Sequence, residues 1–220
     1  MLSGSYFEVA LRWHADRRWR KSPRRNRHKA EYEFLRTLRS APAGGLFIDL
    51  GANVGDVAAR ALKYGMRVIA FEPDPVARRV LLARLGSDNR LTVIPKAVGG
   101  SARTATFHQS PGIEDVGVTI GSSLVQSSFH AGGSTFDVEV IDIVEFLVGI
   151  SEPIVAIKMD IEGAEAECLE AILDAGIHQS LGKIFVETHE RFSPELDERI
   201  GLLRDRIARE GIQTINLDWG

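Results

Sequence analysis

Acidic, basic and imidazole side chains stand where the apolar runs of this 220-residue chain stop. That is where open α/β sheets gather ligands. The run Phe47-Ile48-Asp49-Leu50-Gly51-Ala52-Asn53-Val54-Gly55 passes from an apolar strand through Asp49 into a glycine-bearing turn and a helix. A second apolar run, Arg67-Val68-Ile69-Ala70-Phe71, ends in Glu72-Pro73-Asp74. Strand, glycine turn, helix and a second strand closed by an acid make a nucleotide-binding unit. Gly51 allows a sharp turn with no Cβ in the way. Gly55 lets the first helical turn sit close to a ligand or to the sheet, and amides at the helix N-terminus face the ligand. The dinucleotide fingerprint needs glycine at the first, third and sixth positions, which here are Gly51, Asn53 and Asp56. Asp49 ahead of the turn would repel a pyrophosphate but suits an ammonium group. Glu72 can accept hydrogen bonds from both hydroxyls of a ribose. These residues favour a nucleoside bearing a positive group, a description that S-adenosylmethionine meets; the plainer alternative is a structural turn and an ordinary surface acid.

Two further clusters could act on an acceptor. In Ile154-Val155-Ala156-Ile157-Lys158-Met159-Asp160-Ile161-Glu162-Gly163-Ala164-Glu165, strand alternation would project Lys158, Asp160 and Glu162 to one side at the strand's carboxyl end. Charges that close a buried strand are costly unless paired. They are expected either to position a substrate hydroxyl and the methionine part of the cofactor, or to form a Lys158–Asp160 ion pair above a helix N-terminus carrying Glu162 and Glu165. In Ile184-Phe185-Val186-Glu187-Thr188-His189-Glu190, Glu187 and His189 share a side. His189 could take a hydroxyl proton during methyl transfer, or be a structural histidine held by Glu187.

The elements that would position these residues alternate. Strands are expected at 46–50, 67–71, 91–95, 154–159, 183–188 and 212–217, and helices at 54–65, 74–85, 163–175 and 194–210. Short β-like runs are expected at 103–108 and 122–128, and a strand over Val138-Glu139-Val140 ahead of a short helix at 142–148. This pattern predicts an α/β fold, a doubly wound, mostly parallel Rossmann-like sheet. Ahead of it, helices are expected over Ser5 to Trp19 and Ala30 to Arg39, separated at Ser22-Pro23, with Ala41-Pro42-Ala43-Gly44-Gly45 as linker. The expected organisation is a basic helical arm, 1–45, and a catalytic domain, 46–220.

Hydrophobic residues form 44% of the chain, enough for a core. No apolar run reaches the roughly 18 residues that cross a bilayer, and no signal-peptide pattern opens the chain, so a cytoplasmic location is expected. The single cysteine, Cys168, excludes a disulfide framework within the chain and reads as a small core residue. Net charge is −3, but residues 1–45 hold 11 Lys/Arg against 4 Asp/Glu, crowded between positions 12 and 29. Such a block could touch nucleic acid, a phosphorylated substrate or an anionic membrane, or could pack on the acidic body.

Taken in order, Asp49-Leu50-Gly51-Ala52-Asn53-Val54-Gly55, Phe71-Glu72-Pro73, Ser122-Ser123-Leu124, Lys158 to Glu165 and Val186-Glu187-Thr188-His189 resemble the FkbM family of S-adenosylmethionine-dependent methyltransferases, across roughly 46–190. The resemblance implies a methyltransferase sheet and O-methylation of a hydroxyl on a sugar, glycan or secondary metabolite. It implies that Asp49, Gly51, Asn53 and Gly55 line the methionine and ribose, that Glu72 takes the ribose hydroxyls, and that Pro73, Asp74, Ala97 and Val98 lie about the adenine. Asp160 would reach the cofactor or the acceptor. The family sheet normally ends in an antiparallel hairpin, whereas this sequence stops just after its expected sixth strand, and the arm is outside the resemblance. For catalysis, His189 is the expected base, with Asp160 and Lys158 orienting the acceptor. Asp160 and Glu162 could hold a divalent ion, but nothing in the sequence fixes three or more ligands, so no metal is predicted. Two alternatives stand beside this reading: a nucleic-acid methyltransferase using the basic arm, and a non-catalytic cofactor-binding protein.

Overall fold

Apolar runs rich in Ile, Val, Leu and Phe build the central strands, those ending at Leu50, Phe71, Met159 and Val186 each stopped by glycine or an acid, and amphipathic stretches between them build the helices. A computed structural model describes residues 23–109, Leu124 and 133–219. In chain order come α1 (Pro23–Ser40), β1 (Leu46–Leu50), α2 (Asp56–Lys63), β2 (Arg67–Phe71), α3 (Pro75–Leu85), β3 (Leu91–Ile94), β4 (Ala97–Gly99) and β5 (Arg103–His108). They are followed by β6 (Thr135–Asp142), α4 (Ile143–Val148), β7 (Ile154–Met159), α5 (Glu165–Asp174), β8 (Lys183–Val186), α6 (Pro194–Arg209) and β9 (Ile215–Asn216).

The main sheet has six strands in the order β3-β2-β1-β7-β8-β9, and every neighbouring pair runs parallel. Strand order reverses between β1 and β7, so their carboxyl ends open the crevice in which α/β sheets bind ligands. Asp49 of β1 stands opposite Lys158 of β7 in this register. A second sheet, β4-β6-β5, joins β4 to β6 in parallel and β5 to β6 in antiparallel fashion. The expected doubly wound architecture is therefore present. The six-stranded sheet contains no antiparallel strand among the described residues, and its last strand is two residues long.

Several elements differ from expectation: β4 is not among the expected strands, β8 stops at Val186 rather than 188, and β9 covers Ile215–Asn216 rather than 212–217. Val138-Glu139-Val140 belongs to an eight-residue strand, because pairing with β5 extends order to polar residues on both sides. The helix expected from Ala30 begins at Pro23. Proline is tolerated in a first helical turn, where its missing N–H has no partner to lose. The helix expected over Ser5 to Trp19 and the run at 122–128, Leu124 apart, lie outside the described residues.

Helix α1, read from sequence as part of an arm, packs on the main sheet. Ala30, Phe34, Leu35 and Leu38 are buried. The Phe34 ring meets Phe47 of β1 at 5.7 Å, Phe185 of β8 at 5.4 Å and Trp219 at 4.7 Å, in edge-to-face contacts. Cys168 is buried in α5, where burial pushes its thiol pKa well above the usual range, as befits a core residue. No described helix is long and apolar enough to cross a membrane.

If α1 is integral to this core, Phe34→Ala will cost about 3–5 kcal/mol of unfolding free energy. Urea denaturation followed by circular dichroism measures this; a loss below about 1 kcal/mol would mean that α1 is a detachable arm.

Candidate active site

The turn after β1 is shaped by the strand beside it. Gly51 has φ 76°, and a Cβ there would lie 1.8 Å from the Asp160 carbonyl oxygen. Only glycine fits where these two strand ends cross. The amides of Gly51 and Ala52 donate to the Phe71 carbonyl at 3.1 and 2.9 Å, which ties the turn to β2. Asn53 is also left-handed, at φ 50°, and its amide donates to Glu72 Oε2 at 2.6 Å. Gly55 has a different reason from the expected one. At φ 87° its backbone is left-handed, which favours glycine, and a Cβ there would lie 2.8 Å from Leu85 Cδ1 of α3.

Glu72 sits beyond β2 with its carboxylate fixed at both ends. Oε2 accepts the Asn53 amide and Oε1 accepts the Asp74 amide at 2.8 Å. Burial nevertheless pushes its pKa up to about 7. Asp74 caps α3 by accepting from the amides of Val76 and Ala77 at 2.7 and 3.4 Å, and its other oxygen accepts from Gln109 Nε2. A cavity opens here, between the β1 turn, the end of β2 and the second sheet. Of the residues named from sequence for the cofactor, Gly51, Asn53, Glu72, Pro73, Asp74, Ala97 and Val98 line it. Phe71, Lys96, Phe107, Leu124 and Ile161 line it as well. Asp160 and Glu162 border the same space.

Three expected site residues lie beneath the cavity rather than on its wall. Asp49 is fully buried, and Lys158 is 3% exposed. Lys158 Nζ stands 3.4 Å from Asp49 Oδ1 and 3.3 Å from Asp160 Oδ2, and donates to the Gly51 carbonyl at 2.6 Å. Burial works against this ammonium, but Asp160 and Asp49 outweigh it and hold its pKa above the ordinary lysine range. Burial raises the pKa of Asp49, against the pull of Lys158. Lys158 thus braces the turn and Asp160 from below, and Asp49 supplies its counter-charge.

His189, 1% exposed, is the third. Its Nδ1 lies 2.9 Å from Glu165 Oε1, while Nε2 lies 3.1 Å from Glu162 Oε2 and 3.7 Å from Asp160 Oδ1. Sequence alternation offered Glu187 as its partner; the partner at Nδ1 is Glu165, from the first turn of α5. Burial opposes the imidazolium, yet Glu162 and Glu165 outweigh it and push the pKa up to about 10. Glu187 is half-buried, and burial followed by the charge of Asp160 raises its pKa.

The route by which Asp160 and Glu162 meet also departs from simple strand alternation. Strand β7 ends at Met159, and Glu162 turns back at φ 55° before Gly163 at φ 111°. Glu165 holds this loop by accepting from the amides of Ile161 and Gly163 at 2.9 and 2.8 Å. Three carboxylates and one imidazole therefore gather at one rim, where sequence spacing alone paired them two by two.

The profile of the Methyltransferase FkbM domain matches residues 49–211. No curated protein matches the sequence. Among solved structures, a TehB-like SAM-dependent methyltransferase from Corynebacterium glutamicum shares 14% identity at TM-score 0.38, over 90% of this chain and 82% of that one. An rRNA methylase from Streptococcus thermophilus shares 15% identity at TM-score 0.40, over 83% of this chain and 81% of that one. A putative RNA methyltransferase from Pyrococcus horikoshii shares 17% identity at TM-score 0.38, over 79% of this chain and 64% of that one.

The collision at Gly51 makes a sharp test of this crossing. Gly51→Ala combines a left-handed backbone with a Cβ inside the contact radius of a main-chain oxygen, and will lower stability by about 2 kcal/mol or more. Gly65, equally left-handed but with open space around it, serves as control, with Gly65→Ala costing about 1 kcal/mol. Thermal melts of the two variants measure the difference.

Proposed function

The chain belongs to the FkbM methyltransferase family, and on that premise we propose that it transfers the methyl group of S-adenosylmethionine to a hydroxyl of a sugar, glycan or secondary metabolite. The observation that carries the reading is one cavity bordered by Glu72 and also by Asp160 and Glu162. The lining suits the cofactor. Each Glu72 oxygen is held by one amide and retains a lone pair for a ribose hydroxyl. Phe71, Val98 and Phe107 offer apolar surface to a purine, and the carboxylates suit a sulfonium.

Bound S-adenosylmethionine supplies an activated methyl group: as the acceptor oxygen–carbon bond forms, the carbon–sulfur bond breaks, its electron pair stays on sulfur and the hydroxyl proton departs. The protein's main task is then alignment, because proximity and orientation supply much of the rate. Asp160, braced by Lys158, is proposed to accept the hydrogen bond of the acceptor hydroxyl and so aim its oxygen. The proton leaves late, when the oxygen has become acidic, and passes to Asp160 and Glu162 and then to water. His189 was expected to be the base. With both nitrogens facing carboxylates and a pKa of about 10, it carries a proton on each nitrogen at neutral pH, so its proposed task is to hold Asp160 and Glu162 in place.

Radiolabelled S-adenosylmethionine offered to a panel of hydroxylated acceptors tests the reading, with label expected on a hydroxyl oxygen. Transfer to RNA, or to no acceptor, would overturn it. Asp160→Asn will reduce kcat by 100-fold or more, on the order of 3 kcal/mol, while cofactor affinity changes less than about tenfold. Cofactor affinity will also depend on pH through Glu72. The carboxylate accepts from the ribose above pH of about 7 and takes up its own proton below it, so calorimetric affinity will fall as pH is lowered through that value. Glu72→Gln will bind about 10–100-fold more weakly at high pH and lose this dependence.

A further inference from the structure

Asp160, Glu162 and His189 offer more than a hydrogen-bonded rim. One ligating atom from each lies within 4.8 Å of the others. His189 Nε2 stands 3.1 Å from Glu162 Oε2 and 3.7 Å from Asp160 Oδ1. Adjacent ligands of an octahedral ion held at about 2.1 Å are separated by about 3 Å, so little movement is needed to close around a cation. We propose that these three residues form a divalent-cation site, of Mg²⁺ or Mn²⁺ type, that holds the acceptor oxygen beside the cofactor cavity.

The residues behind the cluster are those that a metal-binding histidine needs. Glu165 is fully buried and faces His189 Nδ1 at 2.9 Å. The Ile161 and Gly163 amides hold its two oxygens, so it cannot swing round to become a ligand itself. A carboxylate on Nδ1 fixes the imidazole with Nε2 directed at the ion and raises its basicity, an arrangement common to metal-ligating histidines. The ion would displace the proton from Nε2, as metal binding to histidine does.

Charge and chemistry agree with this geometry. Asp160, Glu162, Glu165 and Glu187 crowd around His189, and the other nearby cation, Lys158, is shared among Asp49, Asp160 and the Gly51 carbonyl. Two carboxylates and one imidazole form a predominantly hard donor set suited to Mg²⁺ or Mn²⁺, whereas the thiolates that favour softer ions are missing from the rim. Three protein ligands leave coordination positions for water and for the acceptor oxygen. Asp160 and Glu162 border the cavity, so those positions open toward the bound cofactor. Asp160 would give Oδ1 to the ion while its Oδ2 stays with Lys158, so the departing proton passes by way of Glu162 to water. The transfer otherwise balances as described above, with the ion polarising the attacking oxygen.

This inference rests on the methyltransferase reading, and the two fail separately. The full chain, freed of metal with EDTA and dialysed, is titrated with MnCl₂ while free Mn²⁺ is read by electron paramagnetic resonance. The expected result is one bound ion per chain, displaced by excess Mg²⁺. Asp160→Asn and Glu162→Gln should each weaken Mn²⁺ binding tenfold or more. Glu165→Gln should weaken it about 10–100-fold without removing a ligand. Circular dichroism melts identify variants that fail to fold, and the partly exposed rim positions Asp160 and Glu162 keep the test open if the Glu165 variant does. No saturable Mn²⁺ binding by the unaltered chain, or binding unchanged in Asp160→Asn and Glu162→Gln, would overturn the site. Calorimetry of S-adenosylmethionine on the metal-free chain is read alongside. Its failure would overturn the methyltransferase reading, whereas cofactor binding without Mn²⁺ binding would overturn the cation site alone.

Discussion

The ammonium of Lys158 is the point on which the ligand-binding end of this protein turns. It is buried between the ends of β1 and β7, with Asp49 opposite it in the strand register and Asp160 above it. A buried ion pair is a weak source of net stability, since desolvation offsets most of its attraction, but removing one partner leaves an uncompensated charge and costs about 3–5 kcal/mol. The cluster therefore penalises every arrangement in which the two strand ends do not meet. Its hydrogen bond to the Gly51 carbonyl extends the same constraint to the turn that shapes the cavity.

From that crossing, the rest of the site follows in order. Asp160 is carried so close to the turn that position 51 must be glycine. The turn in turn delivers the Asn53 amide to Glu72, and α3, capped by Asp74, closes the far side. The cost is a concentration of buried carboxylates with raised pKa values, at Asp49 and Glu72, and left-handed residues at Asn53 and Glu162. Stability comes from elsewhere, notably from the apolar face where Phe34, Phe47, Phe185 and Trp219 meet.

The order of strands and helices was legible in the residues because periodicity and glycine stops are local signals. So was the core of the cavity lining, since Gly51, Asn53 and Glu72 belong to one strand-turn-helix-strand unit. Three features were not legible. Gly55 reads as a ligand-facing glycine, yet its neighbour is Leu85 of α3, and nothing near Gly55 in sequence says so. His189 reads as a partner of Glu187, two residues away, yet its Nδ1 faces Glu165 in the first turn of α5, beyond the neighbouring strand β7. Phe107 enters the cavity from the second sheet, which a pass along the chain registers only as a short β-like run.

The sequence by itself determined the parallel α/β sheet, the family and the acidic residue that closes each central strand, because these depend on residue types at short, regular spacings. The tertiary structure decided which of those charges meet. Lys158 could have paired with Asp160 alone, and Asp49 could have faced the ligand. Strand register instead buries Asp49 against Lys158, and the left-handed loop at Glu162 brings two carboxylates to the imidazole of His189. Such meetings depend on distances between segments far apart in the chain, and electrostatic energies that change steeply with distance and burial are not written in spacing along it.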